Sequence, residues 1–277
     1  MRFRGRMGQV RPRTRPALLV APLVISLGGC AGGVPLLHGA HVLPAGHTSF
    51  GAGMSDRLLL GDEKRALAEA EARLPGAPLP PPSDARFTRG VLVSLSEGPA
   101  VAPWASARVG IPGANEAGLS YTGRALRLDA RHAFEWQHSA LSLGLGLAGR
   151  GLGQNAPQLP SAELDHTRGV GLDVPILFGY RTDADLIWVW AGARVQYDHW
   201  SGNLTVDSNP ALALSAQRFA VGPVLGFAVG LPPLWVAAEL EVDYAHGSGA
   251  LDGAGAHYDA QINGLSVQPA GALIAKF

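Results

Sequence analysis

Leu234-Trp235-Val236-Ala237-Ala238-Glu239-Leu240-Glu241-Val242-Asp243-Tyr244-Ala245 is the stretch that decides how this chain folds. One alternating set, Leu234, Val236, Ala238, Leu240, Val242 and Tyr244, is wholly apolar, and the other set holds all three acids. A repeat of two is strand periodicity, because successive side chains of a strand point to opposite faces.

The same pattern recurs outward from there. In 187–198, Ile187, Val189, Ala191, Ala193, Val195 and Tyr197 oppose Trp188, Trp190, Gly192, Arg194, Gln196 and Asp198. In 170–181, Val170, Leu172, Val174, Ile176, Phe178 and Tyr180 oppose a set that contains Asp173 and Arg181. Leu141 to Ala148, Leu126 to Arg131, Arg218 to Val229 and Leu265 to Phe277 follow the same rule. A soluble sandwich also alternates, but its second face is well solvated; here that face is mostly Gly, Ala and Ser with isolated charges. Small inward residues suit a narrow interior, and ~9–11 residues is the spanning length of a tilted strand. The pattern predicts an all-β fold, a transmembrane antiparallel up-and-down β-barrel of about ten strands, with eight to twelve as the range.

Connections alternate in length when counted back from the C-terminus: long at 246–261, short at 231–233, long at 200–216, short at 182–185, long at 151–168, short at 135–138. Short turns on the periplasmic side and longer external loops then place both termini in the periplasm. Barrel strands are expected at 47–55, 100–109, 117–122 and 125–134 as well, with 88–97 as a possible extra strand. Residues 56–99 form a long first external loop. Its segment 62–74 is rich in helix formers, with Asp62 as cap and Pro75-Gly76 as stop, and reads as a short helix in that loop or, alternatively, as a plug.

Alternation turns Arg108, Arg127, Arg131, Arg150, Arg181, Arg194, Arg218 and Lys276 inward, together with Asp129, Asp173, Asp198, Glu239, Glu241 and Asp243. Near-equal charges of both signs pair and fill a narrow lumen, whereas a charge-selective pore shows one sign at its constriction. The expected network is Arg127, Asp129, Arg131, Asp173, Arg194, Glu239, Glu241 and Asp243, with Arg194 meeting the acids of 239–243 over the small residues of the strand between them.

The front end differs from the body. Residues 1–29 carry six Arg and no acid, so the rest of the chain keeps sixteen basic against twenty-two acidic residues. That acidic body has no means of neutralising a phosphate backbone, so nucleic acid is not an expected partner. A single Cys excludes a disulfide scaffold and a cysteine zinc cluster. The apolar run Ala17 to Leu27 is too short to span a bilayer as a helix, which needs ~20 residues, and reads as a secretory signal core. Its end, Leu27-Gly28-Gly29-Cys30, resembles the lipobox of bacterial lipoproteins, which implies a signal peptide at 1–29 and acylation of Cys30. With Ala31 next, that resemblance implies sorting to the outer membrane. Residues 30–46, small and without period, read as a flexible periplasmic tether.

The alternating last strand ending in Phe277 resembles the C-terminal assembly signal of bacterial outer-membrane barrels, and 47–277 is similar to small outer-membrane β-barrel proteins as a class. The resemblance implies outer-membrane lipid and the barrel-assembly machinery as partners and leaves any surface ligand unidentified.

Chemistry at the rim is weakly signalled. Asp165-His166, Asp198-His199, Ser201, Ser208 and His246 fall near the outer rim, yet neighbours on a strand face opposite ways, so Asp198 and His199 do not pair. His38, His41 and His47 have no convergent carboxylates for a metal. No enzyme activity, cofactor or metal is expected. The reading is an envelope barrel with a mostly filled lumen and a structural or surface-binding role, a narrow pore for small polar solutes being the alternative and a lipid-acting rim enzyme the second.

Overall fold

The computed structural model describes residues 33–71, 85–97, 101–151, 162–206, 212–253 and 256–277. Eleven strands run in chain order: β1 (Thr48–Ser55), β2 (Leu58–Leu60), β3 (Ala102–Ile111), β4 (Asn115–Tyr121), β5 (Ala125–Glu135), β6 (Ser139–Arg150), β7 (Ala162–Arg181), β8 (Ile187–Val206), β9 (Leu212–Leu231), β10 (Leu234–Gly253) and β11 (Ala256–Lys276). From β3 onward each is antiparallel to the next, and β1 pairs with both β3 and β11, so the sheet closes into a barrel. β2 prolongs β1 along β11: Ser49 to Ser55 face Lys276 to Ala270, and Leu58 to Leu60 face Val267 to Leu265 without a slip. The break lies next to Pro269, which has no N–H to donate, although its carbonyl still accepts the Asp56 amide at 2.9 Å. Counted as staves, β1 and β2 are one, and the barrel has the ten expected.

The barrel wears its apolar residues outside. Val170 to Tyr180 on β7, Ile187 to Tyr197 on β8, Phe219 to Leu231 on β9, Leu234 to Tyr244 on β10 and Leu265 to Phe277 on β11 present exposed Val, Leu, Ile and aromatic side chains at alternate positions. The band ends in aromatic rows, with Tyr121, Tyr197, Phe219 and Tyr244 on one side and Phe50, Phe134, Trp136, Tyr180 and Phe277 on the other. A girdle of this kind is the surface that hydrocarbon would cover, and soluble monomers do not carry its like.

Three departures from the expected organisation follow from what the inner face must cover. First, much of 151–168, 200–216 and 246–261, expected as external loops, is strand: β7 to β11 run 20 or 21 residues and continue past the row of Tyr121, Tyr197, Phe219 and Tyr244. Outward positions there turn polar, as at His199, Ser201, Gln217, His246 and Asn263, while inward ones stay apolar, as at Trp200, Leu204, Leu214 and Leu251.

Second, the segment expected as a long loop with one helix carries two, α1 (Gly61–Glu71) and α2 (Ala85–Glu97), besides β2. The possible strand at 88–97 is α2. Val91, Val93 and Leu95 alternate over a window too short to separate the two periods, and Phe87, Val91 and Leu95 also follow helical spacing. The helices cross closely, since a Cβ on Gly90 would lie 2.2 Å from that of Ala70. Phe87, Val91 and Leu92 pack on Trp200, Leu204, Leu212, Leu214 and Leu251, closing this end of the barrel.

Third, much of 30–46, expected as a loose periplasmic tether, is held: residues 33–43 run inside the barrel, with Val34, Leu36, Leu37, Ala40, Val42 and Leu43 buried, and 44–46 are exposed. The signal-peptide range 1–29 and Cys30 lie outside the described residues.

Candidate functional site

At the height of the apolar band the inner face is a continuous chain of ion pairs. Arg131 holds Glu116 at 2.9 Å, Glu116 and Asp129 both pair with Arg108, and Arg127 holds Asp129 at 2.7 Å and Asp173 at 2.8 Å. Arg194 continues the chain, 3.2 Å from Asp173 and 3.3 Å from Glu241, where the Gln196 amide also donates at 2.7 Å. Four arginines thus alternate with four carboxylates across β3, β4, β5, β7, β8 and β10, all buried. Buried charges persist only when each is paired, and this arrangement pairs nearly every one more than once.

Small residues on the intervening strands let the pairs meet. A Cβ on Gly146 of β6 would come within 2.4 Å of Asp173 Oδ2 and 2.6 Å of Arg127 Nε, so glycine there is what permits contact between β5 and β7. On β9, a Cβ on Gly226 would fall 2.2 Å from the Trp190 ring, which passes over it to donate Nε1–H to Glu239 at 3.0 Å.

Of the eight residues expected to share a network, Arg127, Asp129, Arg131, Asp173, Arg194 and Glu241 belong to this chain of pairs. Glu239 and Asp243 line the same lumen but serve other partners: Asp243 accepts from Gln268 Nε2, and Glu239 faces the threaded N-terminal segment. A second group lies higher, where Asp198 sits 2.7 Å from Arg150 and 3.7 Å from Arg218. Lys276 lies 3.1 Å from the centroid of the Trp188 ring and 3.8 Å from Asp185. Glu116 was not among the expected inward charges. It falls in the residues read as following a turn, and only the pairing of Glu116 with Arg131 on β5 shows that the strand has begun there.

The threaded segment, here called the strap, is held through its backbone. The Leu36 and Leu37 amides donate to Glu239 at 2.7 and 2.9 Å, that of Val42 to Glu135 at 3.0 Å, and that of Leu43 to Glu116 at 2.8 Å. In the opposite sense, Arg194 donates to the Val34 carbonyl at 2.6 Å, and Arg131 donates to the carbonyls of Gly39 and His41. Leu36, Leu37 and Ala40 pack among Trp104, Leu177, Trp190 and Val224. Beside the strap a cavity of about 370 Å³ reaches the mouth at His47, Pro232 and Phe277.

No protein-family model matches this sequence, and no curated protein is detectably similar to it. Among solved structures, surface protein A of Neisseria is similar at 10% identity over 83% of this chain and 96% of that one, with a TM-score of 0.32. Ail, the attachment invasion locus protein of Yersinia pestis, is similar at 10% over 84% and 99%, with a TM-score of 0.32. A major outer membrane protein of Thermus thermophilus is similar at 12% over 83% and 99%, with a TM-score of 0.35. Likeness at this level leaves the architecture to be argued from the closed sheet itself.

The rim candidates do not converge. Asp198 faces the lumen and His199 the outside, so the two do not pair. The side chains of Asp165 and His166, and all of Ser208, lie outside the described residues. His246 bonds Asn263 at 2.7 Å on the outer surface. Among the described residues no group of three or more His, Cys, Asp or Glu is placed to hold a metal ion. His38 and His41 lie inside the barrel with the strap, and each has an Nε2 without a partner.

Proposed function

We propose that this chain is an integral barrel of the bacterial outer membrane with a shut lumen, acting in envelope structure or in binding at the cell surface rather than in catalysis or conduction. The observation that carries this reading is the pairing of an outward apolar girdle with an inward face filled by ion pairs and the strap. Walls of β7 to β11 that continue past the outer aromatic row supply a polar face on which a surface partner would dock. In bilayers, the refolded mature chain should change gel mobility on heating yet carry no steady current. A steady ohmic conductance would favour the narrow pore instead, and solubility without detergent would end the membrane reading altogether.

Acylation of Cys30 is a separate proposal, and it describes a state other than the strap-filled lumen. The Gly33 carbonyl accepts the Ser55 hydroxyl at 3.1 Å, close to the outer end of the band on β11, where Gln268 adjoins it. Three residues reach at most ~10 Å. A lipid on Cys30 in the inner leaflet and a fully seated strap therefore exclude each other, and acylation there goes with a withdrawn strap. A fatty-acid probe should label the wild type and not Cys30→Ser; equal labelling of the two would end the lipid proposal.

A further inference from the structure

The lumen wall reads the strap by its main chain. Glu239, Glu135 and Glu116 accept four strap amides, while Arg194, Arg131 and Ser55 donate to four strap carbonyls. A side-chain hydrogen bond from strap to wall is given by His38 Nδ1 with Arg131. The wall is also shaped around a passing backbone: a Cβ on Gly110 would lie 2.1 Å from the Pro44 carbonyl, and one on Gly179 would lie 2.9 Å from the Ala40 Cβ. The strap's own polar side chains fit less well, since His38 and His41 each keep a buried Nε2 without a partner. Main-chain hydrogen bonds give a peptide site its affinity and side-chain pockets its selectivity; here the first are plentiful and the second shallow.

We propose that the lumen is a receptor for an extended polypeptide, that residues 33–46 are its resident ligand, and that the strap exchanges for a second peptide of the same chemistry. The ligand class follows from the wall: small and apolar side chains, free amides at two pairs of adjacent positions, and no acidic residue, because three carboxylates line the path. The cavity beside Leu37 to Pro44, continuous with the mouth at His47 and Phe277, is the route of entry. This rests on the barrel reading, which heat-modifiable mobility reports separately.

The test uses the full chain carrying Leu37→Pro, which removes one amide from Glu239 and cannot adopt the φ of 48° that Leu37 holds in the seated strap, with a fluorescent synthetic peptide of residues 33–46 as probe. The peptide should bind the folded variant about tenfold more tightly than it binds wild type, whose own strap competes. N-methylation of the peptide at Leu36 and Leu37 should weaken binding by about a hundredfold, since two amides that donate to a carboxylate are lost. Replacing its His41 by alanine should leave binding unchanged, since that side chain has no hydrogen bond to the wall. Absence of binding to the variant, equal binding to variant and wild type, or indifference to N-methylation would each overturn the proposal. If Leu37→Pro does not fold, Ala40→Leu, which overfills the strap's own contact beside Gly179 and leaves the wall intact, takes its place with the same peptides. Hydrogen exchange of the wild type gives an independent reading. The Leu36 and Leu37 amides should exchange while those of β8 and β9 remain protected; exchange of all of them together, only on global unfolding, would make the strap a permanent part of the fold.

Discussion

At the height of the apolar band the lumen is closed by an extended strap against a charged wall; past the row of Tyr197, Phe219 and Tyr244 it is closed by two helices against a mostly apolar one. The difference follows from what each closing element does with its own backbone. A helix bonds its N–H and C=O groups internally, so α2 needs only a surface on which to bury Phe87, Val91 and Leu92. The strap has no such internal pairing, and every amide taken out of water needs an acceptor from the wall. Carboxylates accept without donating, guanidinium groups donate without accepting, and Glu239, Glu116 and Arg131 supply both senses. Once charges line the wall they must also neutralise one another, which is why the ion-pair chain surrounds the strap, while toward the helices the charge thins to Glu63 of α1 and the Arg150–Asp198–Arg218 group.

The comparison breaks most sharply at Arg194. Arg194→Ala leaves the buried Glu241 with the Gln196 amide but without its guanidinium, leaves Asp173 to Arg127 alone and frees the Val34 carbonyl, at a cost of ~3–5 kcal/mol. Thermal unfolding should show the loss, and Glu241→Gln added to it should restore part. Strict additivity of the two changes would mean that the lumen is wet and the pairs uncoupled.

At the helix level the corresponding change is Leu92→Ala, which opens a cavity against Trp200 and Leu251 and costs ~2–5 kcal/mol. Its signature differs in kind: the loss should be insensitive to a second substitution at Glu241 and to salt. Coupling between Leu92 and Glu241 would join two levels that the structure separates.

The girdle itself is tested by a pair of changes on one strand. Ala191 faces outward and Gln196 inward on β8. Ala191→Arg places a charge toward hydrocarbon and should destabilise the refolded protein by ~2–4 kcal/mol, with Gln196→Arg much milder. Equal effects in urea unfolding with lipid present would invert or abolish the sidedness.

The smallest effect belongs to the exposed hairpin of β10 and β11. Hydrogen bonding to Asp252, with Asp259 also 3.0 Å away, raises the His257 imidazole above its usual value. A raised folded value means that the contribution is present below the unfolded pKa, about 6.5, and is lost as pH rises through the higher one. Proton NMR should report that titration, and hydrogen exchange should show looser hairpin ends at the alkaline side; a His257 titrating below the free imidazole would contradict the contact.

Some of the wall was legible because it depends on a period. An alternation of two over 170–181, 187–198 and 234–245 is enough to assign faces, so Arg194, Asp173 and Glu241 were readable as inward. Which of them touch was less so: Arg194 was expected among the acids of 239–243 and takes Asp173 across from β7 as well, a pairing that depends on register between strands. Glu116 escaped notice because a strand of seven residues carries too few repeats to announce its start. α2 escaped because Val91, Val93 and Leu95 fit either period over so short a run.

The sequence by itself determined the barrel, its faces and a stave count of about ten within a range of eight to twelve, since these follow from side-chain alternation, turn residues and spanning length, all local along the chain. Only the tertiary structure decided that residues 33–43 enter the lumen. Their small, periodless composition looks the same whether water or a protein wall satisfies the backbone, and the groups that satisfy it, Glu239, Glu116 and Arg131, lie between 73 and 203 residues further along the chain from the groups they hold.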